Sequence, residues 1–327
     1  MDAKITKERL GHMLSYDFLK IIAVCVGAIF IWMSVFTMTA TRILPSQQFG
    51  ICNFLGTSTT QKFSEYINLT DKFSYEIMET RSQDLSTGGE EYVYQLMEAR
   101  LATREIDVMF AADIEGSSYQ YQNQVGGEIL KATYLEELLY RYRNNVYRLD
   151  GENGFLKNME NFLNGYYNGD YTKGDLDEEK IENDFRAFVA STKDKRFKTE
   201  AAVSAGVQNE IKRVKGYKTN LLDFYSYLDA GYISLTQKTL YYNINNKIEE
   251  LTGAFSINVC PDEKMESLKQ NVYYRVKDEE SGATKTSALN INIVLFSAPQ
   301  TRESFEFESL AFINSLVETH CLDLQEK

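Results

Sequence analysis

The sequence has few of the residues on which most enzymatic signatures depend. Among 327 residues there are two histidines, one tryptophan and four cysteines. The histidines are His12 and His320, so a set of histidine, acid and nucleophile could form only around His320 in the main part of the chain. Cys321 adjoins His320, but neighbouring helical residues point in different directions and do not form a dyad. No glycine-rich phosphate loop, Cys-x-x-Cys pair or His-Glu-x-x-His motif occurs, and we predict a protein that is not an enzyme and uses no cofactor.

Positive charge is scarce relative to negative charge. The chain has 35 Lys and Arg against 47 Asp and Glu, a net charge of −12. We therefore expect no nucleic-acid partner, because general nucleic-acid binding needs clustered cations that displace phosphate counterions. The 43% apolar and 13% aromatic residues indicate a packed interior rather than a disordered chain, and the length allows two or three domains.

One long uncharged run interrupts this mildly hydrophilic sequence, whose mean hydropathy is −0.36. Residues 21–39 carry no charge, and their length suits a helix across ~30 Å of hydrocarbon. We predict a single-pass transmembrane anchor at 18–42 behind a cytoplasmic tail at 1–17. A cleaved signal peptide is the weaker alternative, because the run is longer than a signal core and Met38-Thr39-Ala40 matches a cleavage site poorly.

The charges on either side of the run predict its orientation. Four basic residues precede it within residues 1–20, whereas only Arg42 follows closely. The positive-inside rule then predicts a cytoplasmic N-terminus and an extracytoplasmic main domain at the cell membrane, with 18–42 in contact with the lipid bilayer. Residues 1–42 contain five basic and three acidic residues, so the remainder has a net charge of −14.

Three cysteines follow the run: Cys52, Cys260 and Cys321. An odd number at such wide spacing is not a disulfide framework. Either one pair forms or all three are buried free thiols, and the second interpretation is preferred.

The segment 47–127 is predicted to alternate strands and helices as the first part of an α/β lobe. Apolar runs and period-two patterns predict strands, and apolar stripes at helical spacing predict helices. In order, these are a strand at 49–54, a helix from Thr59, a strand at 73–77, a helix at 90–101 and a strand at 107–112. In an open parallel sheet, such units bind ligands beyond the carboxyl ends of the strands.

The segment 128–252 is predicted to be mostly helical. In 253–327 strands are predicted again, followed by a C-terminal helix. Helical spacing covers 129–149, 181–189 and 199–230, whereas period-two alternation covers 255–259, 272–276 and 289–295, before a helix at 305–317. The helical middle would form either the outer layer of a second lobe or a separate bundle.

Two stretches carry a resemblance to a known family. Leu96-Met97-Glu98-Ala99-Arg100-Leu101 ends a predicted helix before the strand Asp107-Val108-Met109-Phe110, and LNINIVLFSAPQTRESFEFESLAFINSLV supplies a closing strand and helix. In this order, behind an export anchor, they resemble extracellular solute-binding proteins of bacterial ABC importers, the type 2 periplasmic-binding-protein fold. The whole chain also looks like tethered Firmicutes proteins in which YDFLKII opens the anchor and TMTATR closes it. The resemblance covers about 47–125 and 253–320 well and the helical middle poorly.

The resemblance implies a two-lobed α/β domain with a largely helical middle, which captures a small-molecule solute for an ABC permease outside a Gram-positive cell. Family members bind solutes with residues at strand ends. Carried over by position, the ligand-binding candidates are Asn53, Gly56, Thr57 and Ser58 after the first strand, Ser82 after the second, and Ala112 and Asp113 after the third. A simpler interpretation is that Thr57 and Ser58 cap a helix and Asp113 begins a turn.

Some features depart from this family. The only tryptophan, Trp32, lies in the anchor, so sugars could stack only on tyrosines, most of which are expected to be packing residues. This absence and the long helical middle support a rival function, a protein-interaction or scaffold ectodomain whose cleft is lost. The acidic turn at 170–178 lacks the EF-hand spacing, so we expect no metal there and prefer helix capping by Asp175 or Asp177.

Overall fold

The chain divides into two compact units, Met1–Leu44 and Pro45–Lys327, in the computed structural model. The structure describes residues 6–8, 11, 18–39, 47–60, 73, 77, 79–85, 89–103, 105–122, 129–192, 195–244, 247–277, 283–296, 303–321 and 323. Most of the helix predicted from Thr59 and most of the strand predicted at 73–77 lie outside these residues.

The first unit contains one long apolar helix, α1, at Phe18–Thr39. Its first 20 residues have a mean hydropathy of 2.3, which makes them long and apolar enough to cross a membrane. Large apolar side chains such as Leu19, Val24 and Trp32 are exposed along it. The predicted helix is therefore confirmed, whereas its insertion and orientation stay predictions.

The second unit is built on a six-stranded mixed sheet in the order β3-β1-β4-β11-β8-β7. The chain's described strands are β1 Gln48–Asn53, β2 Ser58–Thr59, β3 Glu79–Asp84, β4 Val108–Ala112, β5 Gln120–Gln122, β6 Ile129–Lys131, β7 Ser234–Ile244, β8 Lys247–Asn258, β9 Val272–Lys277, β10 Thr284–Ser287 and β11 Ile291–Leu295. β3, β1 and β4 are parallel, and β11 lies antiparallel between β4 and β8. β10, β9 and β2 form a smaller sheet, and β5 pairs with β6.

Helices cover both faces of the main sheet. The described helices of the second unit are α2 Glu90–Thr103, α3 Tyr134–Tyr142, α4 Phe155–Asn164, α5 Glu178–Thr192, α6 Glu200–Asp229 and α7 Glu303–His320, with 3-10 turns at Lys195–Phe197 and Glu263–Gln270. α2 and α3 pack on the face that carries Met109 and Val294. α4 to α7 pack on the face that carries Phe110 and Ile293. β4 and β11 are buried on both faces, which explains the continuous apolar sequence of β4. The alternation predicted for β11 does not separate a buried face from an exposed one, because Asn292 is also buried and its Oδ1 accepts from the hydroxyls of Thr236 and Ser256.

The predicted mixed α/β class is confirmed, but the two-lobed arrangement is not. Pro45–Lys327 forms one compact unit, and the helices of the middle segment pack directly on the main sheet. Within the stretch read as helical at 129–149, β6 precedes α3, which ends at Tyr142. β7 and half of β8 also fall in the segment predicted to be mostly helical. Cys52, Cys260 and Cys321 are buried free thiols.

Candidate functional site

The carboxyl ends of β1 and β4 form the switch point of the main sheet. β1 pairs in parallel with β3 on one side and with β4 on the other, so the parallel strands lie in the spatial order second, first, third. Open α/β sheets bind ligands where the strand order reverses, outside the carboxyl ends. We call the space between the loops 54–57 and 113–119 the switch-point crevice.

Six of the seven predicted ligand-binding residues lie at this edge of the sheet. They are Asn53 at the end of β1, Gly56, Thr57 and Ser58 after it, Ala112 at the end of β4, and Asp113 after it. Ser82 is different, since it lies inside β3 opposite Ile51. The polar residue at the end of β3 is Asp84, which sequence reasoning missed because this strand has no apolar pattern.

Asn53 is fully buried, and the chain itself uses its amide. Nδ2 donates to the carbonyl oxygen of Thr57 and to Oδ1 of Asp84 at 2.8 Å, and Oδ1 accepts from Oγ1 of Thr59 at 3.3 Å. Oδ2 of Asp84 also accepts from the backbone N–H of Thr59 at 3.3 Å. These bonds join the turn after β1 to the end of β3, so a ligand at Asn53 would have to replace them.

Thr57 links the two loops of the crevice. It is fully buried, and its Oγ1 accepts from the backbone N–H of Ala112 at 3.0 Å. Its own N–H donates to Phe54 O at 3.1 Å. Ser58 pairs with Tyr273 as part of β2. The N–H at the end of β4 is therefore already satisfied, which favours a structural role for Thr57 over ligand binding. The prediction of a helix beginning at Thr59 is wrong at that residue, because Ser58 and Thr59 form strand β2.

Asp113 belongs to an ion cluster that positions the start of α3. Its carboxylate accepts from Thr133 Oγ1 at 2.7 Å and contacts Lys238 Nζ at 3.0 Å, which lies equally close to Glu136. Burial lowers the pKa of Lys238, but the two carboxylates outweigh it and raise the pKa above its ordinary value. Thr133 and Glu136 also form a reciprocal capping box. The Thr-x-x-Glu pattern was the signal that could have located this helix start.

The ring of Tyr134, the first residue of α3, lies in the switch-point crevice. Gly56 has φ +76° and Gly116 has φ +135°, and a Cβ atom on them would lie 2.3 Å and 3.0 Å from the ring. Only glycine allows this close approach in these conformations. Tyr134 is half-buried, and burial, followed by the charges of Glu90 and Glu137, raises the pKa of its hydroxyl.

A buried carboxylate, Glu137, lies beside the crevice on α3. It accepts from Tyr94 Oη, from Ser117 Oγ at 2.6 Å and from Arg141 Nε at 2.7 Å. The Arg141 guanidinium carbon lies 3.8 Å from the centre of the Tyr94 ring and 4.9 Å from that of Tyr119. Burial and the hydrogen bond to Glu137 raise the pKa of Tyr94. Arg141 thus balances the charge of the buried Glu137. No pattern in the sequence predicted this network.

The acidic turn at 170–178 serves local structure. Asp170 Oδ1 accepts from the N–H and hydroxyl of Thr172 at 2.9 and 2.6 Å. Asp177 Oδ1 accepts from the N–H of Lys180 at 2.8 Å and so caps α5, as predicted. Within the described residues, no group of three or more His, Cys, Asp or Glu side chains could hold a metal ion.

Comparison with known proteins adds no family to this description. No protein-family model, curated protein or solved structure matches the chain.

Proposed function

We propose that this chain is a membrane-anchored interaction protein of the cell envelope, whose α/β domain contacts other proteins instead of capturing a solute. The observation that carries the proposal is the closed switch-point crevice. Asn53, Thr57 and the N–H of Ala112 are bonded to other groups of the chain, and the Tyr134 ring fills the space above Gly56 and Gly116. A working solute site keeps polar groups available for its ligand.

The packing of the helical middle supports the same function. Buried side chains of α4 to α7 belong to one core with Phe49, Phe110 and Ile293 of the main sheet. Capture by lobe closure needs a hinge between two bodies, whereas this core extends without interruption across the sheet face. We infer that the domain is non-enzymatic, that α1 holds it in the membrane, and that its N-terminus is cytoplasmic.

Solute binding is the second candidate, because six of the carried-over residues gather at the switch point. In that case a small molecule would enter the crevice, and an ABC permease would receive it. The two functions predict opposite results when the chain is offered solutes.

A thermal-unfolding screen of the full chain in detergent micelles separates them. Sugars, amino acids, peptides and oligoanions at millimolar concentration should leave the unfolding temperature unchanged, because a ligand stabilises only the protein that binds it. A rise that saturates with the concentration of any of these solutes would overturn the interaction function and support solute binding.

A second measurement tests the interaction directly in cells. A photo-crosslinking amino acid at Tyr92, which is 60% exposed, or at other exposed positions should give a discrete covalent adduct with another protein. The same amino acid at Phe110, which is fully buried, is the control and should give none. Absence of adducts across the exposed positions would contradict the proposal.

A further inference from the structure

The hairpin of β7 and β8 extends beyond the rest of the main sheet. The two strands pair with each other as far as Ile244 and Lys247, whereas β11 pairs with β8 only at Ile257 and Asn258. A backbone hydrogen bond from the segment before α4 reaches β8 at Ala254. Among the described residues no strand lies beside the hairpin beyond that point, and a two-stranded ribbon alone is at best marginally stable in water.

β7 is the last strand of the sheet, so its outer side presents backbone N–H and C=O groups. At Thr239 the carbonyl oxygen accepts from the Tyr140 hydroxyl of α3 at 3.2 Å. Past that point, within the part of the chain that the structure describes, the backbone of Leu240–Ile244 makes no hydrogen bond other than its pairing with β8. The segment Leu240–Ile244 is therefore the part of β7 that can pair with a further strand.

This segment lacks the charges that protect edge strands from association. Leu240–Ile244 contains no charged residue, whereas the neighbouring stretch of β8, Lys247–Glu250, contains three. At the opposite edge of the sheet, the six residues of β3 include Glu79, Arg81 and Asp84. Proteins use charged residues in this way to prevent strand pairing between molecules. Pairing through the outer edge of β7 is therefore favoured over pairing through β3 or the free edge of β8.

A second copy of the same chain is suited to this edge. In an antiparallel arrangement about Tyr242, Leu240 is opposite Ile244 of the second copy, and aromatic and branched apolar residues form favourable pairs across antiparallel strands. Residues 43–327 have a net charge of −14, so two copies can approach each other best where neither contributes a charge. Lys238, the one charged residue of β7, is already paired with carboxylates of its own chain.

We propose that two copies of this chain dimerise by antiparallel pairing of their Leu240–Ile244 segments, with Tyr242 at the two-fold axis. The interface is small, so the dimer forms where both copies are concentrated in one membrane rather than in dilute solution. The dimer does not depend on contacts with other proteins, and its failure would leave the proposed interaction function to be decided by the tests given above.

Disulfide crosslinking of the full chain in cell membranes tests the dimer. The exposed Cys25 is replaced by alanine, and a single cysteine is introduced at Tyr241, Tyr242 or Asn243. Tyr242→Cys should give a covalent dimer on mild oxidation, because residues directly opposite each other lie within about 5.5 Å. Tyr241→Cys and Asn243→Cys should each give at least about tenfold less alone, because diagonal neighbours are roughly 7–8 Å apart. Co-expressed, these two variants should crosslink with each other.

Matched variants separate strand pairing from collision and from loss of folding. Arg81→Cys, exposed on β3, should give no dimer. Tyr242→Glu in both copies places two negative charges opposite each other and should lower the crosslink between Tyr241→Cys and Asn243→Cys at least about tenfold, whereas Tyr242→Phe should keep it. One Tyr242→Glu copy with one Tyr242→Lys copy should restore it.

The dimer would be overturned by absence of a crosslink at Tyr242, by equal crosslinking at Tyr242 and Arg81, or by failure of the opposite charges to restore pairing. A covalent adduct with another protein in place of the dimer would overturn the second copy as the occupant of this edge.

Discussion

His320 is a buried histidine at the end of α7 that should make the second unit less stable in acid. The Ser267 hydroxyl donates to the His320 carbonyl at 2.8 Å and so accepts from Nδ1, whereas Nε2 lies 3.1 Å from the amide nitrogen of Asn271. Burial lowers the pKa of His320 from 6.5 to about 4. The unfolded chain therefore takes up a proton between these pH values before the folded chain does, and stability falls as the pH falls.

We expect this effect to remove about 2 kcal/mol from the free energy of unfolding between pH 7 and pH 5. His320→Gln should lack this component, although it also changes the bonds to Ser267 and Asn271. Urea unfolding of residues 45–327 at a series of pH values measures the difference between the two chains. A difference that does not change with pH would contradict the assignment, because His320 is the only histidine of this unit.

Asp107 should have the opposite effect on stability. Burial raises its pKa from 3.8 to about 7, although the N–H of Gly50 donates to its carboxylate and partly offsets the rise. The folded chain holds the proton through this range, so stability falls as the pH rises from about 4 to about 7. Asp107→Asn keeps an acceptor oxygen but has no proton to lose. Its free energy of unfolding, relative to that of the original chain, should therefore rise by at least about 1 kcal/mol when the pH is raised from 5 to 8. Chemical unfolding at both pH values checks it, and a constant difference would exclude an ionisable role.

At the scale of elements, Lys238 joins β7 to the start of α3. Its side chain is 18% exposed and lies between two carboxylates. Lys238→Met leaves Asp113 and Glu136 without their cation and should lower the free energy of unfolding, measured with urea at pH 7, by about 1–3 kcal/mol.

A matched control is available in Lys215, which pairs with Glu178 at 2.7 Å while both side chains are more than half exposed. Lys215→Met should leave stability nearly unchanged, because exposed ion pairs contribute little. The triple variant Lys238→Met, Asp113→Asn, Glu136→Gln should recover part of the loss. Equal effects of the two methionine variants would show that burial of the cluster is energetically unimportant.

The elements that the sequence predicts well are those whose side chains alternate between interior and surface or are buried throughout. β1, α2, β4, α6, β11 and α7 follow their apolar patterns closely. β3 escaped prediction because it is a polar edge strand with the sequence ETRSQD, held by parallel pairing to β1. β7 was not predicted because it is the opposite edge strand, and Leu235 is the one apolar residue among its first six residues, Ser234 to Thr239.

The candidate site was predictable only in its position. The predicted ends of the strands were enough to locate Asn53, Thr57 and Asp113, because the positions of these residues follow from the assignment of each strand by itself. It could not show that Asn53 binds Asp84 or that Thr57 binds Ala112, because those bonds depend on which strands are neighbours. The position of the Tyr134 ring depends further on how α3 is oriented on the sheet. The spacing of apolar residues in the sequence does not determine that orientation.

For the whole molecule, the charge distribution around α1 predicts that residues 45–327 lie on the extracytoplasmic side of the membrane. Protease added to spheroplasts should digest this part of the chain, while a cytoplasmic marker stays intact. Replacing Lys4, Lys7, Arg9 and Lys20 by glutamine weakens the positive-inside signal and should protect a fraction of the molecules. Full protection of the original chain would show that the predicted orientation is wrong.

The position of β11 has a consequence for how such a domain is made. This strand, at Ile291–Leu295, lies in the middle of the main sheet between β4 and β8. The six-stranded sheet cannot close until β11 is available, since β11 joins β4 to β8 and is the last of the six strands in chain order. If the N-terminus stays cytoplasmic as predicted, the part of the chain after α1 crosses the membrane in order from residue 45, and its sheet stays open until β11 has also crossed. This keeps the crossing segment in the unfolded state that a narrow export channel requires. Late arrival of its central strand thus makes the domain suited to threading across a membrane before it folds.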